Sequence, residues 1–218
     1  MILLVEKATD CGIHLSSSEI DRFQRYLLEL WEWNKRFNLT GLKTEERIVI
    51  ELFLDSLIPA AYLPEQGTLL DIGSGAGFPG LPLKILHPGL QAVLLESNSK
   101  KVSFLNHVIR LLNLRGAQAV QGRIALNNEW FSGKGFRVIT ARALADLRQI
   151  VLWCSTLLEP GGLLVTFLGA GGEKAVEANE KTMADFGLQV ERHLSYLLPG
   201  KESLRHTFIL KKQEAEQT

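Results

Sequence analysis

Leu69-Leu70-Asp71-Ile72-Gly73-Ser74-Gly75-Ala76-Gly77-Phe78-Pro79-Gly80 is the stretch on which the fold turns. An apolar run closes on an acid, Asp71, and glycines follow at 73, 75 and 77. Pro79 comes where a helix would start, a place where a missing N–H costs nothing. Strand, tight turn and helix in that order form a βα unit. Without Cβ atoms the turn can adopt unusual φ values and let a ligand lie against its amides. In an open α/β sheet such a turn sits at the carboxyl end of the first strand, where ligands bind at the switch in strand order.

Working outward, short apolar runs alternate with longer helical segments. Residues 68–72 lead into 79–87, 91–96 into 99–113, 117–121 into 123–131, 137–141 into 146–158, and 163–168 into 173–186. That alternation predicts a parallel sheet with helices on both faces. Two further strands, 188–198 and 206–212, have no helix between them, and Pro199-Gly200-Lys201-Glu202 can turn the chain, so an antiparallel hairpin is expected there. The expected fold is therefore α/β and Rossmann-like, with seven strands. Before it, the chain reads as helices. Ser16-Ser17-Ser18-Glu19 offers caps ahead of Ile20, Phe23, Tyr26, Leu27, Leu30 and Trp31 at helical spacing. A second periodic stretch runs from Ile48 to Ile58. The expected organisation is a helical cap over 1–66, the sheet domain over 67–212 and a polar tail over 213–218.

The 218 residues are 46% apolar and 22% charged, with a formal net charge of zero, which excludes disorder, collagen and coiled coil. No apolar run reaches the ~18 residues of a membrane span. Cys11 and Cys154, far apart and without neighbouring ligand types, point away from a disulfide scaffold and a metal site, and toward a cytoplasmic protein. Charge is uneven: residues 1–66 hold seven basic and eleven acidic groups, whereas Lys100 to Arg148 holds nine basic against two acidic. That local excess suits a polyanion.

A dinucleotide site also uses G-x-G-x-x-G at a first βα turn. Here Phe78 occupies the third glycine position, and Asp71 precedes the turn, suiting a cationic or hydroxyl-bearing ligand better than a pyrophosphate. The spacing D-x-G-x-G-x-G is that of S-adenosylmethionine (SAM) sites. Glu96 ends the second strand about twenty residues on, where a carboxylate can accept both ribose hydroxyls of an adenosine. Gly122-Arg123-Ile124-Ala125 follows the third strand, placed to read an adenine with its amides and to pack Ile124 on the ring.

Together these residues resemble the bacterial small-subunit rRNA guanine-N7 methyltransferases, the GidB family. The resemblance is carried by Asn34-Lys35-Arg36-Phe37-Asn38-Leu39-Thr40, Leu54-Asp55-Ser56-Leu57, the Gly73–Leu83 block and Glu96-Ser97 with Lys100-Lys101 and Phe104-Leu105. Ala141-Arg142-Ala143 and Arg205-His206 complete it. It implies a class I SAM-dependent methyltransferase that acts on N7 of a guanine in a conserved loop of 16S rRNA, with the 30S subunit as partner. A monomer without metal is expected. Gly73, Gly75, Phe78, Glu96, Ser97, Asn98, Ile124, Ala125 and Arg142 would then line the cofactor pocket, with Lys35, Asn38 and Arg205 toward the substrate. The chain departs from the family pattern at Leu52, where His is usual, at Ala125, where Glu is common, and after the fifth strand, where Phe167 to Gly172 lacks a lysine. A SAM enzyme acting on a small molecule and a non-catalytic SAM- or RNA-binding module are the alternatives.

Absences bear on the acceptor atom. The fourth strand runs into Ala141-Arg142-Ala143 rather than an N/D-P-P-Y/F motif, and neither cysteine is placed as a C5 nucleophile. Guanine N7 has an in-plane lone pair and no proton, so its methylation requires no general base. N7 faces the major groove, which in A-form RNA is too narrow for a protein pocket, so the target is expected to be unpaired.

Overall fold

A computed structural model describes residues 1–124, 131 and 135–214. Its seven strands are β1 (Gln66–Ile72), β2 (Gly89–Glu96), β3 (Ala117–Gln121), β4 (Phe136–Arg142), β5 (Leu158–Leu168), β6 (Leu188–Tyr196) and β7 (Arg205–Lys212), in the order β3-β2-β1-β4-β5-β7-β6. The first five run parallel; β7 inserts antiparallel between β5 and β6. The chain leaves β1 in one direction toward β2 and β3, and returns to β1's other side with β4. The β1/β4 boundary is therefore the switch point at which such sheets bind ligands.

The helical region begins with α1 (Ile2–Asp10), for which no start signal was read in the sequence. Next comes α2 (Ser17–Phe37), whose first turn is closed by a reciprocal capping box: Ser16 Oγ accepts from Glu19 N, and the Glu19 carboxylate accepts from Ser16 N at 2.7 Å. The second periodic stretch is one continuous helical run, made of α3 (Glu45–Ile48), a π-helical segment (Val49–Leu54) and α4 (Asp55–Leu57). Hydrophobic periodicity locates a helix and is blind to a local widening to i→i+5 bonding.

Between and after the strands lie α5 (Gly80–Leu86), α6 (Ser99–Leu111), α7 (Leu147–Cys154), α8 (Gly172–Ala178) and α9 (Glu180–Asp185). The single helix expected over 173–186 is thus two short ones, meeting at Asn179. The helix expected over 123–131 lies largely outside the described residues. No helix among them is long and apolar enough to cross a membrane.

The helical region has no core of its own. Phe23, Tyr26, Leu30 and Phe53 belong to one buried cluster with Phe78, Leu81, Leu94 and Phe104 of the sheet region. Phe53 meets Phe23, Tyr26 and Phe78 edge-on, with ring centroids 5.7, 5.0 and 4.9 Å away. A second cluster, containing Leu70, Ile139, Ile150 and Leu210, fills the opposite face of the sheet. Phe53→Ala is expected to cost about 3–5 kcal/mol. Because the core is shared, urea unfolding of this variant should remain a single transition moved to lower denaturant. A separate early transition for the helical region would contradict the shared core.

Candidate active site

The turn after β1 is fixed at its base by Asp71. Its carboxylate is fully buried, accepts the Thr140 hydroxyl from β4 at 2.6 Å and accepts the Gly80 amide at the start of α5 at 3.2 Å. This corrects the expectation that Asp71 would meet a cationic or hydroxyl-bearing ligand: its acceptors point into the protein and are already engaged. Burial pushes its pKa from 3.8 up to about 6, opposed by the Thr140, Ser74 and Gly80 hydrogen bonds.

Within the turn the glycines do different work. Gly73, Gly75 and Gly77 all have positive φ, +70°, +59° and +101°. A Cβ on Gly77 would strike the Tyr26 hydroxyl and Leu81, and one on Gly73 would lie 2.7 Å from Leu144 Cδ1. At Gly75 the nearest such neighbour is the Gly73 carbonyl oxygen at 3.8 Å, so this residue alone faces open space. The helical region reaches the turn directly. The Tyr26 hydroxyl donates to the Ala76 carbonyl, and its ring stacks on Phe78 at 5.3 Å with 9° between planes. Burial raises the Tyr26 pKa well above that of a free phenol, so the hydroxyl remains a donor.

Glu96 joins the carboxyl ends of β1 and β2. One carboxylate oxygen accepts from Gly75 N at 2.9 Å and the other from Asn98 N at 2.8 Å. Glu96 forms one wall of a cleft of about 320 Å³, within the size range of small-ligand pockets. Gly73, Ser97 and Ile124 also line it, as do Gly122 and Arg123 of the loop after β3. The apolar surface comes from Ile72, Leu95, Leu144 and Trp153. Leu144 and Trp153 went unread in the sequence. Trp153 is six residues inside α7, and a tryptophan in an amphipathic helix carries no signal distinguishing core from cleft.

The remaining candidate residues lie elsewhere. Phe78 is buried against Tyr26 and Phe53, facing the helical region. The Asn98 side chain caps α6, accepting from Lys100 N and Lys101 N, so its link to the cleft is the backbone amide given to Glu96. Ala125 lies outside the described residues. Arg142 is drawn to the π-helical segment: Nη2 is 2.8 Å from Asp55 Oδ2 and donates to the Glu51 carbonyl. Asp55 also accepts the Tyr196 hydroxyl at 2.8 Å, and Lys201 pairs with Glu51 at 2.7 Å. Arg205 stands 4.0 Å from both carboxylates of this cluster, whereas Lys35 and Asn38 line a different cavity at the end of α2.

Among the described residues, Glu173, His193 and His206 bring donor atoms within 4.8 Å of one another. The two imidazoles meet at 2.9 Å, Nε2 to Nδ1, within hydrogen-bond distance. Cys154 is fully buried with its thiol pKa raised by desolvation, which makes it inert as a nucleophile.

The buried carboxyl of Asp71 sets a pH dependence. Folded, it holds its proton up to about pH 6; unfolded, it releases it near 3.8, so its contribution favours the folded state at low pH and is lost as pH rises through that window. The expected loss is ~3 kcal/mol. Asp71→Asn retains an acceptor for Gly80 N–H and should flatten this slope. Urea unfolding free energies of both proteins between about pH 4 and 7 check it; equal slopes would refute it.

Comparison with known proteins now places this geometry. Residues 19–202 match the family model GidB, rRNA small subunit methyltransferase G. The chain is similar to ribosomal RNA small subunit methyltransferase G of Geotalea uraniireducens, 37% identical over 210 residues that cover 96% of this chain and 95% of that protein. Its counterpart in Chloroflexus aggregans is 38% identical over 211 residues, covering 96% and 89%. Among solved structures, a methyltransferase from Pyrococcus furiosus aligns with a TM-score of 0.61 at 17% identity, covering 88% of this chain and 98% of that one. TYW2 of M. jannaschii, solved in complex with AdoMet, aligns at 0.57 with 12% identity, covering 72% and 73%. These structures share the fold. By the family match and by its full-length relatives, the chain belongs to the GidB family, rRNA small subunit methyltransferase G.

Proposed function

We propose that this protein transfers the methyl group of SAM to N7 of a guanine in a loop of 16S rRNA, acting as a monomer on the 30S subunit. The observation that carries the reading is the Glu96 carboxylate at the wall of the cleft, tied to the open-faced Gly75 amide. Glu96 Oε1 accepts the Asn98 amide and, at 3.4 Å, the Ser97 hydroxyl, while Oε2 accepts the Gly75 amide, and a carboxylate oxygen has capacity for a second donor. That leaves acceptor capacity for a ribose hydroxyl at Oε2, and for a second at Oε1 where it displaces the long Ser97 bond. A Cβ-free backbone at Gly75 and an apolar wall of Ile124, Leu144 and Trp153 suit an adenosine.

In this reading Gly73, Gly75, Glu96 and Ser97 hold the ribose side of SAM, and Ile124 with the loop through Ala125 holds the base. Phe78, Asn98 and Arg142 act one layer behind. Phe78 stiffens the turn, Asn98 orients Glu96, and Arg142 ties β4 to Asp55. Residues 1–66 serve as the cap and 67–212 as the transferase region. When bound, SAM supplies an electrophilic methyl group on a sulfonium.

The chain's own contribution is to orient and to exclude water. Glu96 is the one acid among the described residues lining the cleft, and both of its oxygens are engaged by backbone amides, which suits a fixed acceptor rather than a mobile base. An acceptor nitrogen with a free lone pair and no proton to lose matches that inventory. Alignment alone supplies several kcal/mol in well-oriented systems.

Labelled SAM incubated with 30S particles from a strain lacking this protein tests the reading. Label is expected in 16S rRNA as N7-methylguanosine. Label in a small molecule, at another atom, or nowhere would overturn it. Glu96→Ala should weaken SAM binding about ten- to a hundredfold, the worth of hydrogen bonds to a charged acceptor. Calorimetry checks this, and an unchanged affinity would remove Glu96 from the site.

A further inference from the structure

His193 and His206 stand on neighbouring strands and share one face of the sheet. His193 pairs in register with Phe208, and side chains two apart on a strand point the same way, so His206 joins them. The His193 ring lies on Phe208 with centroids 4.1 Å apart and 3° between planes, which fixes its orientation. Its Nε2 is held 2.9 Å from His206 Nδ1. Strand alternation turns the flanking cations to the other face. Arg192 sits over the Tyr62 ring at 4.4 Å, and Arg205 lies 4.0 Å from Glu51 and Asp55.

Helix α8 closes over the pair. A Cβ on Gly172 would stand 2.8 Å from His206 Cβ and 2.9 Å from Leu168 Cβ, so the chain passes that close only as glycine. The next residue, Glu173, brings a carboxylate oxygen to 4.0 Å from His193 Nδ1. That is too long for a hydrogen bond, and among the described residues no lysine or arginine pairs with this acid. Lys174 is exposed and about 100° further round the helix. His206 is 3% exposed whereas the Glu173 side chain is 61% exposed, so the cluster has a buried floor and an open mouth.

We propose that Glu173, His193 and His206 bind one divalent transition-metal ion of the zinc type, which fastens α8 to the β6–β7 pair. Two neutral imidazoles and a carboxylate are a donor set that zinc takes with a position left over for water. One donor atom from each residue lies within 4.8 Å of the others. Nitrogens bound to zinc at about 2.1 Å in tetrahedral geometry stand about 3.4 Å apart, so the pair opens by about half an ångström from its 2.9 Å. The hydrogen between the rings moves to the far nitrogen of its own imidazole, which frees both facing lone pairs and keeps both rings neutral. Glu173 then swings in from solvent as the third ligand. The three come from α8, β6 and β7, at positions 173, 193 and 206, so no short ligand spacing marks them in the sequence. Leu168, the last residue of β5, pairs with His206, which puts the ion at the carboxyl end of the sheet, the end that holds the cleft. The site shares no residue with the cleft and does not rest on the rRNA reading.

The test strips the full chain with a chelator and titrates it with zinc chloride by calorimetry. The wild type is expected to bind one equivalent saturably. His193→Ala should weaken zinc more than about a hundredfold, beyond the loss of an outer contact, and Glu173→Gln, a change at an exposed position, about ten- to a hundredfold. Cobalt(II) in place of zinc should give a visible ligand-field band that His193→Ala abolishes. Backbone amides of residues 172–178 should exchange more slowly with zinc than without it, because the ion ties α8 down. No saturable binding by the wild type would overturn the site. So would binding that persists in His193→Ala, which would place the ion elsewhere, at exposed Cys11 and His14 for instance. Loss in His193→Ala with wild-type affinity in Glu173→Gln would reduce the site to an imidazole pair and overturn the clamp, as would zinc-independent exchange in α8. SAM affinity is expected unchanged in each variant, so these outcomes leave the rRNA reading to its own test.

Discussion

A buried carboxylate at the switch point is the constraint from which the site is built. Asp71 is fully buried at the end of β1, and it spans to Thr140 on β4 and to the first amide of α5. Burying an acid is costly unless its acceptors are filled. The two donors that fill them lie on either side of the turn formed by residues 73–79, so that turn runs between fixed points. Gly80 is part of the same device: a Cβ there would stand 2.8 Å from Asp71 Cβ and 2.7 Å from Oδ2. One glycine of the motif thus serves the acid, and Gly77 serves Tyr26 and Leu81. Only Gly75 turns its Cβ-free side toward open space.

The same turn is held from the other side by the helical region. Tyr26 donates to Ala76 and stacks on Phe78, and farther along the sheet Asp55 pairs with Arg142. Both contacts join residues far apart in sequence, so the helical region braces the turn and β4 from behind without lining the cleft. Helix α2 then carries two features in series. Tyr26 grips the glycine turn, and Phe37 stands eleven residues on, about 16 Å along the axis. The shared core thus fixes the end of α2 relative to the glycine turn that its first half grips.

Much of the sheet was legible because strand runs buried on both faces are continuous and apolar, and the βα alternation has one economical solution. The position of Glu96 was legible for the same reason. It ends a strand parallel to β1, with Ile72 paired to Leu95, so its carboxylate falls beside the glycine turn. What sequence could not supply was the direction of each side chain. Asp71 and Glu96 both end apolar strands, yet one faces the interior and the other the cleft. Strand alternation separates such residues only once the register is known. Phe78 stands where a ligand-facing residue was expected and instead joins an aromatic stack whose other members lie some fifty and twenty-five residues earlier in the chain. The π-helical segment that carries Glu51 and leads into Asp55 at the start of α4, both of which meet Arg142, left no periodic trace.

Charge shows most clearly how contiguity in sequence and in space diverge. The basic excess between Lys100 and Arg148 reads as one cationic stripe, but its members scatter. Arg142 is turned inward onto Asp55, and Arg137 stands 3.5 Å from Glu159. Arg123 lines the cleft, while Lys100 sits over Phe37. In the acidic first third, Glu51 is taken up by Arg47 and Lys201 and Asp55 is buried against Arg142, whereas Glu32, Glu45 and Glu46 stay exposed along with Lys35, Arg36 and Lys43. Folding thus draws groups of both signs inward from each stretch, so the sign of a stretch of sequence is not the sign of a surface. What a phosphate meets is the local field within a Debye length, about 10 Å at moderate salt, and not the sum over the sequence.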